Sequence, residues 1–364
     1  MQITRQAALR RFWYPVMPAA LLDGGGLHPF TLLGEPIVLW RAEDGSVACL
    51  RDRCCHRTAR LSLGFVEGSD VVCGYHGWTF SPQGRCVRVP QQAPGTPIAA
   101  NACVPAYRAQ ERYGHVWVTL AAPGEEPLAG LPELPQDADP SFRRIAEFHE
   151  PWDIGALRLM ENSFDNAHVA YVHRATFGDV QDARPNLYRI TSQHAYGFEA
   201  TTHYRVVVRG ETAQRAIGSE EAETVREQTS AWFMPFVRRT GIRYPNGLEH
   251  VIVTCATPMD DRRSMILQWV YRNDSEAEAS AASVIAFDRA VTLEDKAILE
   301  SCDPDVPLAV VDGEELHMAS DRPGLVMRSL FMKLLAQAGE QEQRAEAPAW
   351  VPVALPRGTA PQPA

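Results

Sequence analysis

The sequence predicts an α+β protein of two domains joined by a linker, and three observations carry that reading. Residues 8–121 contain short runs rich in β-branched and aromatic residues, without helical periodicity. Residues 122–141 are dense in proline, glycine and acid and show no apolar period, as a linker does. Residues 142–340 mix long strand-like runs with segments of helical period. A chain of 364 residues is long enough to bury two such cores. The remainder, 341–364, is rich in Glu, Gln, Pro and Ala and reads as a disordered tail.

In the first domain the strands are PIVLW (36–40), VACLR (47–51), DVVCGYHGWTF (70–80) and HVWVTL (115–120). The last alternates, so burial of one face is expected. Phe12, Trp13 and Tyr14 are expected to pack the N-terminus onto this domain. In the second domain GALRLMENSFDNAHV (155–169) reads as a helix. LYRITSQHAYGFEATTHYRVVVRG, TVREQTSAWFMPFV, HVIVTCATPM and SMILQWVYRN read as antiparallel strands. The polar stretch 272–283 reads as a mobile loop. Residues 284–301 read as a helix, and 321–339 as an amphipathic helix after Pro323.

Composition excludes several classes of function. Hydrophobic residues make up 45% and charged residues 22%, ordinary for a globular protein, and the net charge of −10 argues against nucleic acid, which demands basic surface. No apolar run reaches the length of a membrane span. Arg10-Arg11 precedes apolar residues, but Pro15 and Pro18 interrupt them and no small-residue cleavage site follows, so export is not expected. The cysteines show no small secreted disulfide framework, and the expected location is cytoplasmic. Gly24-Gly25-Gly26 is a turn and not a dinucleotide fingerprint, so no nicotinamide site is expected in this chain.

Two clusters of ligand-type residues stand out. Cys54, His56, Cys73 and His76 form C-x-H and C-x-x-H pairs separated by sixteen residues, in RCCHRTARLSLGF and VVCGYHGWTF. Two thiolates and two imidazoles suit a [2Fe–2S] cluster with cysteines on one iron and histidines on the other; the text resembles the Rieske motif. Structural zinc is the rival, but its usual layout pairs Cys with Cys and His with His. ENSFDNAHVAYVH (161–173) brings Asn162, Asp165, His168 and His173 close together. Asp165 and His168, three apart, would share a helix face. His173 would lie about 140° round from His168, so the helix must end or distort between them for both to reach one metal. Two histidines and a carboxylate make the facial triad of non-haem Fe(II) oxygenases. On the residues alone, Asp165 and Asp295 both qualify as the carboxylate, with Glu294, Asp288 and Glu300 as neighbours. Asn162 joins Asp165 as a catalytic candidate. For the substrate pocket, Trp232, Phe233 and Trp269 are candidate walls.

With these motifs, roughly residues 8–340 resemble the α subunit of Rieske non-haem iron oxygenases, most closely the α-only vanillate and dicamba O-demethylase group. The resemblance implies a β-rich Rieske domain followed by a helix-grip catalytic domain with a curved antiparallel sheet. It implies one [2Fe–2S] Rieske cluster and one mononuclear Fe(II), the latter on His168, His173 and Asp295. It makes Asp165 a bridge from His168 to a Rieske histidine of a neighbouring subunit in a homotrimer. It also implies O2 and a small organic substrate, and a separate NAD(P)H-dependent reductase acting directly or through a ferredoxin. The expected outcome is hydroxylation or oxidative demethylation of an aromatic compound. A cis-dihydroxylating ring dioxygenase, or an electron-transfer protein without oxygenation, are the alternatives. Cys55 departs from the proline often found at its position in the family and is read as an inert packed residue.

Overall fold

The fold was obtained as a computed structural model that describes residues 1–208, 211, 214, 217, 221, 223–310 and 315–345. Ten short strands build the first domain: β1 Tyr14–Pro18, β2 His28–Leu32, β3 Glu35–Arg41, β4 Val47–Arg51, β5 Phe65–Glu67, β6 Asp70–Val72, β7 Thr79–Phe80, β8 Cys86–Arg88, β9 Arg108–Arg112 and β10 His115–Thr119. They form three antiparallel sheets, in the orders β1-β10-β9, β2-β3-β4 and β5-β6-β7-β8. The single strand expected over 70–80 is two strands, with a turn from Cys73 to Trp78 between them. That turn and the one after β4 carry the Cys/His pairs.

The second domain contains β11 Arg143–Trp152, helix α1 Ala156–Ser163, the single turn α2 Val169–Val172, β12 Arg189–His194, β13 Gly197–Val207, β14 Glu223–Phe233, β15 Val237–Arg243, β16 Glu249–Pro258, β17 Ser264–Arg272, α3 Ala281–Leu299 and α4 Arg322–Gln337. Its seven strands make one antiparallel sheet in the order β11-β17-β16-β15-β14-β13-β12. α1 lies on this sheet, with Leu157 and Met160 buried beside Trp232, Ile266 and Phe331. β11 was absent from the sequence reading. Its buried residues are only Ile145 and Trp152, too sparse for a strand pattern, and what makes it a strand is its pairing with β17 from Arg143 to Trp152.

The two domains share one core, and this corrects two expectations. All five residues of β10 are buried, not alternate ones. Val116 and Val118 join the apolar cluster of α1 and α4, while Trp117 packs among Val253, Leu267 and Trp269 of the catalytic sheet, so both faces are covered. Phe12 and Tyr14 likewise lie in the cluster that holds Trp232 and Phe331, and Trp13 packs on the Trp269 cluster. The N-terminus therefore clamps both domains rather than capping the first. The expected tail also begins too early. Gln343 accepts from the backbone of Gln2, and Arg344 and Ala345 bond Asp305, so residues 341–345 are held; 346–364 lie outside the described residues. Among the described residues no helix is long and apolar enough to cross a membrane.

Candidate active site

The two Cys/His turns are built alike. In each, the cysteine N–H donates to the carbonyl five residues on (Cys54 to Ala59 at 2.8 Å, Cys73 to Trp78 at 2.9 Å). Each cysteine carbonyl accepts from the residue four on, Thr58 at 3.0 Å and Gly77 at 2.9 Å. Both closing residues have positive φ, 60° and 72°, which Gly77 adopts without strain. The turns abut through glycines. A Cβ on Gly64 would lie 1.9 Å from the Val72 carbonyl oxygen, and one on Gly74 would lie 2.7 Å from that of Leu63, so neither position admits a side chain.

This closeness sorts the donors. Cys54 and Cys73 are buried. Burial pushes the Cys54 thiol up to about 11, and the neighbouring Cys73 thiol adds to the shift. His56 and His76 stand toward solvent with ring centroids 4.7 Å apart, His56 stacked on Trp78 at 4.6 Å. Sulfur thus faces inward and nitrogen outward. The described residues contain a single group of three or more such side chains whose ligand atoms all lie within 4.8 Å of one another, and it does not include these four. A tetrahedral zinc, with bonds of about 2.0–2.3 Å, needs all four donors closer than that. A two-iron cluster does not, so the donor set fits [2Fe–2S] better than zinc. Cys55 is exposed rather than packed, which corrects that expectation; partial burial still raises its thiol pKa.

The convergent group is His168, His173 and Asp295. The segment carrying it differs from the expected helix over 155–169. α1 ends at Ser163, because Asp165 turns its carboxylate back onto the N–H groups of Ala167 (2.7 Å) and His168 (3.3 Å) and starts a new turn. Asp165 and His168 therefore share no helix face. The break falls before His168, not between the histidines, and the turn α2 carries the chain from one to the other.

The histidine Nε2 atoms lie 3.2 Å apart, and each is 3.5 Å from Asp295 Oδ1. Behind each ring stands a carboxylate. His168 Nδ1 is 3.4 Å from Asp165 Oδ2, and His173 Nδ1 is 2.9 Å from Glu294 Oε2, which also accepts from Thr176 Oγ1 at 2.8 Å. With both Nδ1 protons committed to carboxylates, both Nε2 atoms turn lone pairs toward each other and toward a carboxylate oxygen. Three acceptors that face one another call for a cation between them. Burial lowers the pKa of His173 to about 3, which keeps its ring neutral, and burial raises that of Asp295. Burial opposes ionisation of Asp165 as well, but hydrogen bonding to His168 and the adjacent N–H groups holds its pKa below the usual value. Asn162 Nδ2 donates to Asp295 Oδ1 at 3.2 Å, so all four candidates on this segment meet at one place.

The triangle sits in the wall of a cavity of about 170 Å³ between α1, α3 and the sheet. Trp232, Phe233 and Trp269 do not line it, contrary to expectation. Trp232 packs on Phe198 and Phe331, and Trp269 on His115. The residues that do line it, and that sequence reasoning missed, include Tyr188, Arg226, Gln228, Arg238 and His250. The signal lay in β14, where Arg226, Gln228 and Ser230 are the buried alternates of a strand polar on both faces. An inward row of polar residues marks a cavity, since a packed core would not tolerate it.

Comparison with known proteins identifies both domains. A model of the Rieske [2Fe-2S] domain matches residues 12–108, and one of the vanillate O-demethylase oxygenase C-terminal domain matches 152–337. The chain is 30% identical to methylxanthine N1-demethylase NdmA of Pseudomonas putida, over 90% of this chain and 89% of the relative. It is 28% identical to the toluene-4-sulfonate monooxygenase iron-sulfur subunit TsaM1 of Comamonas testosteroni, over 66% of this chain and 70% of that one. The solved structure of Pseudomonas putida NdmA with caffeine superposes with a TM-score of 0.79 at 26% identity, covering 93% of this chain and 94% of the other. Dicamba monooxygenase bound to dicamba shares the fold, with a TM-score of 0.73 at 20% identity over 93% and 100% of the two chains.

Proposed function

Because the chain belongs to the Rieske oxygenases with a vanillate O-demethylase type of catalytic domain, we propose that it is the terminal oxygenase of a monooxygenase system acting on a small aromatic compound. The observation that carries the site assignment is the His168–His173–Asp295 triangle of facing acceptors in the cavity wall. In this reading Cys54, Cys73, His56 and His76 hold the Rieske cluster, and the triangle holds one Fe(II). Together these groups supply single electrons and a metal at which O2 is activated.

The chain's own residues set the conditions. Asp165 and Glu294 fix each imidazole in the tautomer whose Nε2 is free to ligate. Asn162 steadies Asp295 by one hydrogen bond. The cavity takes a single ring with small substituents, since about 150 Å³ suffices for benzene. Hydroxylation or oxidative demethylation is in keeping with relatives that are an N1-demethylase and a toluene-4-sulfonate monooxygenase subunit. Electrons come from a separate NAD(P)H-dependent reductase, directly or through a ferredoxin. In a homotrimer, Asp165, whose partners within the chain are Ala167 and His168, would bridge to a Rieske histidine of a neighbouring subunit.

Iron, labile sulfide and zinc analysis tests this reading. The native protein should hold three irons and two sulfides per chain. His168→Ala and Asp295→Ala should each lose one iron, together with product formation in a reductase-coupled assay, and keep the Rieske absorption. Zinc in place of sulfide, or full iron in both variants, would sink it.

A further inference from the structure

The cavity beside the triangle holds a cation that the steps above leave unused. Arg238, on β15, lines it. Its Nη2 donates to the Tyr188 hydroxyl at 3.0 Å and to the Ser230 hydroxyl at 3.1 Å. Its Cζ lies 4.7 Å from the centroid of the Phe164 ring, and its Nε is shut from solvent without a hydrogen-bond partner. No carboxylate stands within ion-pair distance of it among the described residues. The one acid whose charge reaches it is Asp295, which the triangle claims. The other cavity acids are also engaged: Asp165 faces His168, and Asp288 Oδ2 lies 3.1 Å from His250 Nε2. A second guanidinium, Arg226, lies 5.0 Å over Phe177 in the same cavity and adds to the positive charge.

A guanidinium withdrawn from water ordinarily faces an anion, because its charge is costly to bury alone. Here it faces hydroxyls, and those bring protons of their own. Tyr188 already accepts from Gln228 Nε2 as well as from Arg238, and Ser230 accepts from Gln228 Nε2 at 3.4 Å. Neither hydroxyl proton has an acceptor among the described residues. Both Nη2 protons are taken by the hydroxyls, so what the cluster offers the cavity is the remainder of the guanidinium and the Tyr188 hydroxyl, donors only, as an oxyanion requires. What it lacks is an acceptor, and the open side is the cavity.

We propose that Arg238, with the Tyr188 hydroxyl beside it in the cavity lining, binds the carboxylate or sulfonate of a single-ring organic acid and so makes an anion the substrate of this enzyme. The proposal rests on reading the adjacent triangle as the oxygenase site. It separates this chain from the relative that acts on methylxanthines, whose ring system carries no such acid group.

Calorimetric titration of the holoenzyme tests it with benzoate and benzenesulfonate against benzamide and benzenesulfonamide, which have similar shape and no charge. At least one anion should bind saturably, and its amide at least about thirty-fold more weakly. Arg238→Met should abolish that preference by weakening the anion, and Arg238→Lys, which keeps the charge without the fork, should restore part of it. Rieske absorption and the unfolding midpoint report whether the variants fold. Should Arg238→Met fail to fold, Tyr188→Phe carries the test: it removes one lining donor and should weaken the anion but not the amide. Equal binding of anion and amide, no saturable anion binding, or anion affinity unchanged by the variants would overturn the proposal. Anion binding through Arg238 in a protein without a third iron or product would instead leave this proposal standing and sink the oxygenase reading. Turnover of neutral rings with indifference to anions would do the reverse.

Discussion

Glu294→Gln should loosen the mononuclear metal without touching the substrate cavity's shape or the Rieske domain. Glu294 Oε2 stands 2.9 Å from His173 Nδ1 and is itself fixed by the Thr176 hydroxyl. An ionised carboxylate there accepts only, so the ring proton must sit on Nδ1 and the lone pair on Nε2. Glutamine has the same size but no charge, and its amide can turn NH2 toward Nδ1. That orientation moves the proton to Nε2, the atom meant to ligate. Loss of such a supporting carboxylate typically costs 10- to 100-fold in metal affinity, or about 1.4–2.7 kcal/mol. Two features place Glu294 at the upper end: the short 2.9 Å contact, and a His173 side chain only 4% exposed, where no water can take over. The companion contact from Asp165 to His168 is longer, 3.4 Å, and that ring is 15% exposed, so Asp165→Asn belongs at the lower end, about tenfold.

The assay is anaerobic dialysis against graded chelator, with iron counted per chain. Rieske absorption accounts for two irons and the remainder reports the triangle. The free-metal level at which half of the third iron is lost should rise about 50- to 100-fold in Glu294→Gln. A midpoint within threefold of the native protein would show that His173 is oriented by its packing on Phe177 and not by Glu294.

Two further predictions concern other parts of the molecule. Asp165→Asn should keep the Rieske cluster and most of the third iron but slow electron passage, seen as a reduced Rieske spectrum that persists after O2 and substrate are added; reoxidation at the native rate would rule out the bridging role. His115 is buried with Nδ1 3.0 Å from the Tyr113 carbonyl, and burial depresses its pKa from 6.5 to about 4. Its folded value lies below its unfolded one, so the stability tied to its neutral ring is complete above pH 6.5 and is lost as pH falls toward 4, by at most about 3 kcal/mol. His115→Asn keeps a donor for Tyr113 and should flatten that part of the stability profile in denaturant titrations; an equally steep profile would place the acid sensitivity elsewhere.

The candidate ligand clusters were legible in the sequence because coordination chemistry restricts spacing more tightly than folding does. C-x-H and C-x-x-H make sense only as ligand turns, and the structure shows why sixteen residues suffice between them: Gly64 and Gly74 let the two turns meet backbone to backbone. On the residues alone Asp295 stood level with Asp165, and only the family resemblance chose it. It lies far along the chain on α3, among acids that read as an ordinary solvated helix face. The break after Ser163 was hidden by an opposite effect. Leu157, Met160 and Phe164 keep a helical period up to the break, and the side-chain bonds from Asp165 that end the helix are invisible to periodicity. β10 shows a further limit. Its second face is covered by Val253 and Trp269, residues remote in sequence, so alternation within the strand could not reveal it.

The cavity was the least legible part, for a physical reason. Burial is inferred from apolar residues, and a cavity wall inverts that rule by turning Arg226 and Gln228 inward from β14 and Arg238 from β15. Two of the aromatic residues that looked like pocket walls, Trp232 and Trp269, are fully buried in packing and do not line the cavity. In this sheet, therefore, the inward residues that carry specificity are those that would be least stable there without an occupant. Arg238 is the clearest of them: a cation held by hydroxyls that are themselves donors has its hydrogen-bonding completed only when an anion enters.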